Sequence, residues 1–111
     1  MKHQTATLTG ALLDAAVALA CGWPLLEGDT APSGPLARLS PSTDWAIGGP
    51  IIERERISVV QEFNDPNLWS AGLEFWLDVG FQGNTETGHT PLIAAMRAYV
   101  AAKLGAEVDL P

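Results

Sequence analysis

The chain has 111 residues and a formal net charge of −7, because 13 acidic residues outweigh six basic ones. With 47% apolar residues it can bury one hydrophobic core, so we expect a single domain over residues 1–111. The acidic balance disfavours direct nucleic-acid binding and suits a protein partner with a basic surface, while the single cysteine, Cys21, excludes an internal disulfide and a multi-cysteine zinc site.

The first predicted helix lies near the start of the chain. Thr9 or Gly10 begins it, and it runs to about Cys21, where Gly22 offers the left-handed cap that is common at helix ends. This apolar run is too short to span a bilayer, and Asp14 interrupts it, which argues against a signal peptide. We therefore expect no membrane association, and the single cysteine fits a reducing compartment such as the cytoplasm.

Strands are predicted through the middle of the chain. Two short apolar segments, at residues 23–27 and 35–39, flank a run of turn residues and predict a hairpin with a loose loop. Alternating side chains predict strands at residues 57–63 and 73–79, and the second of these has the clearer alternation. The polar, glycine-containing segment at residues 80–88 is predicted to be a loop.

A second helix has the most consistent signals. Thr90 is its predicted N-cap, Pro91 takes the first helical position, and Gly105 ends it. Its apolar residues form one stripe that should face a sheet: Ile93, Met96, Val100 and Leu104. Arg97 lies away from the middle of that stripe and is expected on the surface. These elements together predict an α+β fold, with two helices packed on one face of a mainly antiparallel sheet of four or five strands.

The least ordinary part of the chain is residues 42–59. Its run Gly48-Gly49-Pro50 predicts a sharp elbow, because glycine reaches backbone angles closed to other residues and proline fixes its own φ. A turn is expected before the elbow and a strand with alternating charges after it. We predict a binding surface made of the following residues: Asp44, Trp45, Gly48, Gly49, Pro50, Glu53, Arg54, Glu55 and Arg56.

Two blocks of the sequence are long enough to be specific. One is Ser-Thr-Asp-Trp-Ala-Ile-Gly-Gly-Pro-Ile-Ile-Glu-Arg-Glu at residues 42–55, and the other is Thr-Pro-Leu-Ile-Ala-Ala-Met-Arg-Ala-Tyr-Val at residues 90–100, followed by Leu104-Gly105. Together they resemble the NinX-like family of small bacteriophage and prophage proteins, whereas residues 64–88 depart from the family pattern. The resemblance implies a phage-derived cytoplasmic accessory protein, and it brings no assigned catalytic residue.

The residues favour a non-enzymatic protein-interaction module, because no complete catalytic set, cofactor motif or metal-ligand spacing occurs. We therefore expect no cofactor, no metal, and a host or phage protein as the partner. A rival hypothesis is a small metal-dependent enzyme acting on nucleic acid, with Asp44, Glu53 and Glu55 as ligands, since the two glutamates share a face if they lie on a strand. The same charges can instead form a solvated face. An acidic DNA mimic that inhibits a host protein, and a homodimer through an unpaired edge strand, are further alternatives.

Overall fold

The computed structural model describes residues 2–23, 25–26, 36–37, 39–73, 75–76, 80–81 and 85–110. Its helices are α1 (Gly10–Cys21), α2 (Trp45–Glu55) and α3 (Pro91–Leu104). The strands, in chain order, are β1 (Lys2–Gln4), β2 (Leu25–Leu26), β3 (Leu36–Ala37), β4 (Ser58–Gln61), β5 (Trp69–Gly72), β6 (Phe75–Trp76), β7 (Gly80–Phe81), β8 (Thr85–Gly88) and β9 (Glu107–Asp109). The fold is therefore α+β, as predicted. Across the described ranges, every helix is too short or too polar to cross a membrane.

Local signals placed both ends of α1 and α3 correctly. Gly22 follows α1 with φ at 76°, and its N–H bonds back to the last turn of the helix, which is the predicted left-handed cap. The Thr90 hydroxyl accepts a hydrogen bond from the N–H of Ile93 at 3.1 Å, and Pro91 occupies the first turn of α3. The end of α1 and the start of α3 are each fixed by residues within one turn of them.

Helix α3 is the centre of the molecule. On one side it packs against β4, β5 and β8, and it also contacts both α1 and α2. Met96 and Val100, from the predicted stripe, are fully buried, but so are Ala94 and Ala95 on other faces of the helix. The predicted stripe is therefore only part of a surface that is buried nearly all round.

The expectation of one sheet with four or five strands is wrong. Among the described residues the largest sheet has three antiparallel strands in the order β4-β5-β8, and β1–β9, β2–β3 and β6–β7 form separate antiparallel pairs. The expectation of two helices is wrong as well, because α2 is a third. The sequence signals strands one at a time, whereas their grouping depends on contacts between distant parts of the chain.

The predicted strand at residues 57–63 is confirmed in its core by β4, and the predicted hairpin by the antiparallel pairing of β2 with β3. The strand predicted at residues 73–79 is described only in part: residues 75–76 form β6, which pairs with β7, and residues 74 and 77–79 lie outside the described ranges. The loop predicted at residues 80–88 is wrong for β7 and β8, since β8 pairs with β5 over its whole length. Thr-Glu-Thr-Gly has no apolar alternation to signal that pairing.

Candidate functional site

The predicted elbow at Gly48-Gly49-Pro50 is wrong, because helix α2 runs straight through it. Asp44 caps this helix, with its Oδ1 atom accepting the N–H of Ala46 at 2.9 Å. Pro50 has no N–H to donate back to the carbonyl of Ala46. Both residues are exposed, so water can satisfy that carbonyl. The helix therefore tolerates a proline that a buried helix would not.

Gly48 is buried and serves close packing. A Cβ atom at this position would clash with the carbonyl oxygen of Pro41 and come within 2.6 Å of Leu92 Cδ2. The neighbouring Gly49 has open space around the same position, with no atom within 4 Å. One glycine of the pair therefore lets α2 approach the start of α3, and the other does not contribute to that contact.

A pocket of about 220 Å³ lies where the starts of α2 and α3 meet. Ser42, Thr43 and Trp45 form one wall, and residues 90–93 form the other. The Trp45 side chain is 57% exposed at the pocket, which is unusual for so large an apolar residue. The side chains of Asp44 and Thr90 already accept N–H groups from the two helix starts. The pocket therefore offers a ligand mainly apolar surface and few free backbone N–H groups.

The segment before α2 is held in place by a buried carboxylate. The backbone N–H of Ser42 donates to Asp14 Oδ1 at 2.9 Å, which ties this segment to α1. Asp14 is buried, so this hydrogen bond offsets part of the cost of removing its carboxylate from water. The Ser42 hydroxyl is also buried and has no hydrogen-bond partner within the described part of the chain. A buried hydroxyl without a partner is destabilising, and Ser42 is one of the residues that line the pocket.

A cluster of polar side chains surrounds the other end of α2. Arg54 Nε donates to Glu55 Oε2 at 2.8 Å, and Lys103 Nζ of α3 lies 3.5 Å from Glu55 Oε1. The hydrogen bond from Arg54 lowers the pKa of the Glu55 carboxyl. Cys21 Sγ, at the end of α1, lies 3.8 Å from Arg54 Nη2 and 3.3 Å from the Tyr99 hydroxyl. Burial, followed by the contact with Cys21, raises the pKa of Tyr99 to about 12.

The residues predicted to form one surface therefore lie at two ends of α2. Asp44 and Trp45 are at its start, and Arg54 and Glu55 are at its end, roughly 16 Å away along an 11-residue helix. The geometric premise of the metal hypothesis is also wrong, because Glu53 and Glu55 lie on a helix, where residues two apart do not share a face. In the described ranges, no group of three or more His, Cys, Asp and Glu side chains is arranged to hold a metal ion.

A family model described as "Bacteriophage P22, NinX" matches residues 4–103, which include α1, α2, all but the last residue of α3, and the pocket between α2 and α3. The chain belongs to this family. Membership in the NinX family confirms the resemblance seen in the two sequence blocks. A comparison with curated proteins gives no match. Strand β9 lies beyond the part of the chain that the NinX family model covers.

The sequence pattern indicates Trp45 as a binding residue, but it does not indicate the other wall of the pocket. Nothing in the sequence links residues 90–93 to Trp45, because the two segments meet only after α2 packs on α3. The glycine at position 48 was the available signal, since a buried glycine in a helix often marks a close approach of two backbones. That signal was assigned to an elbow because glycine next to proline is also typical of turns.

Proposed function

We propose that this NinX family protein is a non-enzymatic accessory protein that binds a host or phage protein through the pocket between α2 and α3. The observation that carries the proposal is the exposed Trp45 ring at the edge of that pocket. A large aromatic side chain left in water beside a concave apolar surface is typical of protein interfaces, where tryptophan is enriched among the residues that contribute most to binding.

The size of the pocket favours a protein partner over a small-molecule ligand. At about 220 Å³ it is smaller than the roughly 300–1,000 Å³ that ligand pockets typically have. A pocket of this size suits one apolar side chain from a partner, inserted between Trp45 and the start of α3. The rest of the interface would form between the partner and the protein surface around the pocket.

The charge of the protein favours a partner with a basic surface. The formal net charge is −7, and the exposed carboxylate of Asp44 lies directly before Trp45 in the chain. Charges of one sign accelerate the approach of a partner of the other sign, and they add more to the association rate than to the affinity. We therefore expect a partner that inserts an apolar side chain and surrounds it with lysine or arginine.

The test compares Trp45→Ala with Leu19→Ala, which removes another exposed apolar side chain, on α1. Tagged wild-type protein and both variants are used to capture proteins from a lysate of the bacterial host, and each captured protein is then purified for affinity measurement. We expect Trp45→Ala to weaken binding of the partner at least about 30-fold, which corresponds to roughly 2 kcal/mol at a central interface residue. Leu19→Ala should bind within about twofold of wild type.

The dependence of the association rate on salt concentration is a second test of the proposal. The association rate of the wild-type protein with its partner should fall as ionic strength rises, because screening weakens the attraction between opposite charges. If Trp45→Ala and wild type bind the same proteins with equal affinity, the proposed surface is wrong.

The hypothesis of an acidic DNA mimic stays a prediction, because it requires carboxylates that are spaced like DNA phosphates on one face of the protein.

A further inference from the structure

Strand β4 lies at one edge of the three-stranded sheet, and its hydrogen-bonding pattern shows which backbone groups point outward. The N–H of Glu62 donates to the carbonyl of Leu68, the residue directly opposite it in the β4–β5 register, at 2.9 Å. In an antiparallel pair, such directly bonded positions alternate with positions whose groups point away. The even-numbered residues of β4 therefore bond to β5, and Val59 and Gln61 direct their N–H and C=O groups to the open side.

The opposite edge of the same sheet, β8, is partly covered. The even-numbered residues of β5 bond to β4, so Ala71 bonds to Glu86 across from it in β8, and Thr87 points outward. Arg97 of α3 reaches this outward side and donates from Nη1 to the Thr87 carbonyl at 2.7 Å. The Glu86 side chain shares the α3 face with Ala71, and an inward-pointing charge is one of the features that prevent a strand edge from pairing with another chain.

Within the described part of the chain, strand β4 has none of these protections. Its sequence Ser-Val-Val-Gln contains no charged residue and no proline. Val60 is 42% exposed on this strand, and Phe63, just after it, is 97% exposed. An uncharged, apolar edge with open hydrogen-bonding groups is a template for another strand. The two edges of the sheet therefore differ in how well they can accept another strand.

We propose that β4 pairs antiparallel with β4 of a second copy of the chain, about a two-fold axis at Val60. This register places Val59 opposite Gln61 of the second copy and uses all the outward N–H and C=O groups of both residues in four hydrogen bonds. Centring the axis on Val59 instead would require the N–H of Ile57, which already donates to the Ile52 carbonyl at 3.0 Å. The two Val60 side chains meet at the axis, where the Cβ atoms of directly opposed residues are closest.

The charges at the ends of β4 fit this arrangement. Glu62 lies opposite Ser58 of the second copy, and Arg56 lies beyond the paired residues, so this register places no like charges opposite each other. The charged residues from Glu53 to Arg56 lie on and just after α2 and not on β4. The dimer joins two three-stranded sheets into one of six strands, with both sets of helices on one face.

The first test measures the dimer dissociation constant by sedimentation over a concentration range up to millimolar. Val60→Lys places two like charges opposite each other at the axis and should weaken the dimer at least about 100-fold. Thr85→Lys adds the same charge on the exposed β8 edge and should leave the dissociation constant within about twofold. A wild-type protein that stays monomeric at every concentration, or a dimer that Val60→Lys does not weaken, overturns the proposal.

The second test reports the register. Under mild oxidation, Val60→Cys should cross-link the two copies rapidly, because Val60 faces itself across the axis, whereas Ser58→Cys faces Glu62 of the second copy and should cross-link slowly. Equal cross-linking at both positions would exclude the register centred on Val60. This inference concerns a different surface from the pocket at Trp45, so loss of partner binding in Trp45→Ala with an intact dimer separates the two proposals.

Discussion

Arg97 joins three parts of the chain through a single side chain. Its Nε atom donates to the carbonyl of Leu8 at 2.8 Å, and its Nη1 atom donates to the carbonyl of Thr87 at 2.7 Å. The guanidinium group thus satisfies backbone groups from the segment before α1 and from β8. The expectation that Arg97 lies free on the surface is wrong, because a helical pattern locates a side chain on its own helix and says nothing of the carbonyls that surround it.

We expect Arg97→Ala to lower the free energy of unfolding by about 1–3 kcal/mol, since it removes a charged donor and leaves two carbonyls without their partner. Lys103→Ala, on the exposed side of the same helix, should change it by less than about 1 kcal/mol, because it loses only a surface ion pair. Urea unfolding of both variants measures the difference. Equal, small effects would mean that the two hydrogen bonds of Arg97 contribute nothing net.

At the scale of the element, prediction succeeded where the signals were local. Thr90 with Pro91 and the glycine after α1 fix helix ends through contacts within one turn, so the sequence contains all the information needed. Helix α2 was missed because its two glycines and its proline each oppose helix formation in isolation. Packing on α3 outweighs that preference, and packing between distant segments cannot be deduced from one of them alone.

The two glycines of α2 should respond oppositely to alanine. Gly48→Ala would place a methyl group against the Pro41 carbonyl and Leu92, so it should lower the free energy of unfolding by about 1–3 kcal/mol, as overpacking does. Gly49→Ala has open space and gains helix propensity, so it should raise it by about 0.5–1 kcal/mol. Thermal unfolding of the pair provides the measurement. A stabilised Gly48→Ala variant would show that α2 does not approach α3 this closely.

At the scale of the whole molecule, the two ends of the chain close the fold together. Strand β1 pairs with β9, the Thr5 hydroxyl donates to the carbonyl of Gly105 at 2.7 Å, and the Thr5 N–H donates to the carbonyl of Ala106 at 2.9 Å. Val108 and Leu110 are buried in the same region. The sequence predicts no strand at residues 107–109, because a three-residue strand has too little pattern to be seen without its partner.

The burial of Leu110 predicts that residues beyond the family match at 4–103 are required for stability. Leu110→Ala should lower the free energy of unfolding by about 2–5 kcal/mol, since the side chain is fully buried and its removal leaves a cavity in the core. Glu107→Ala, at an exposed position of β9, should change it by no more than about 0.5 kcal/mol. Small domains are stable by only about 5–15 kcal/mol, so the first change can leave a large unfolded fraction on mild heating, whereas the second cannot. Urea unfolding monitored by tryptophan fluorescence distinguishes them, and a Leu110→Ala variant as stable as wild type would mean that the chain end does not form part of the core.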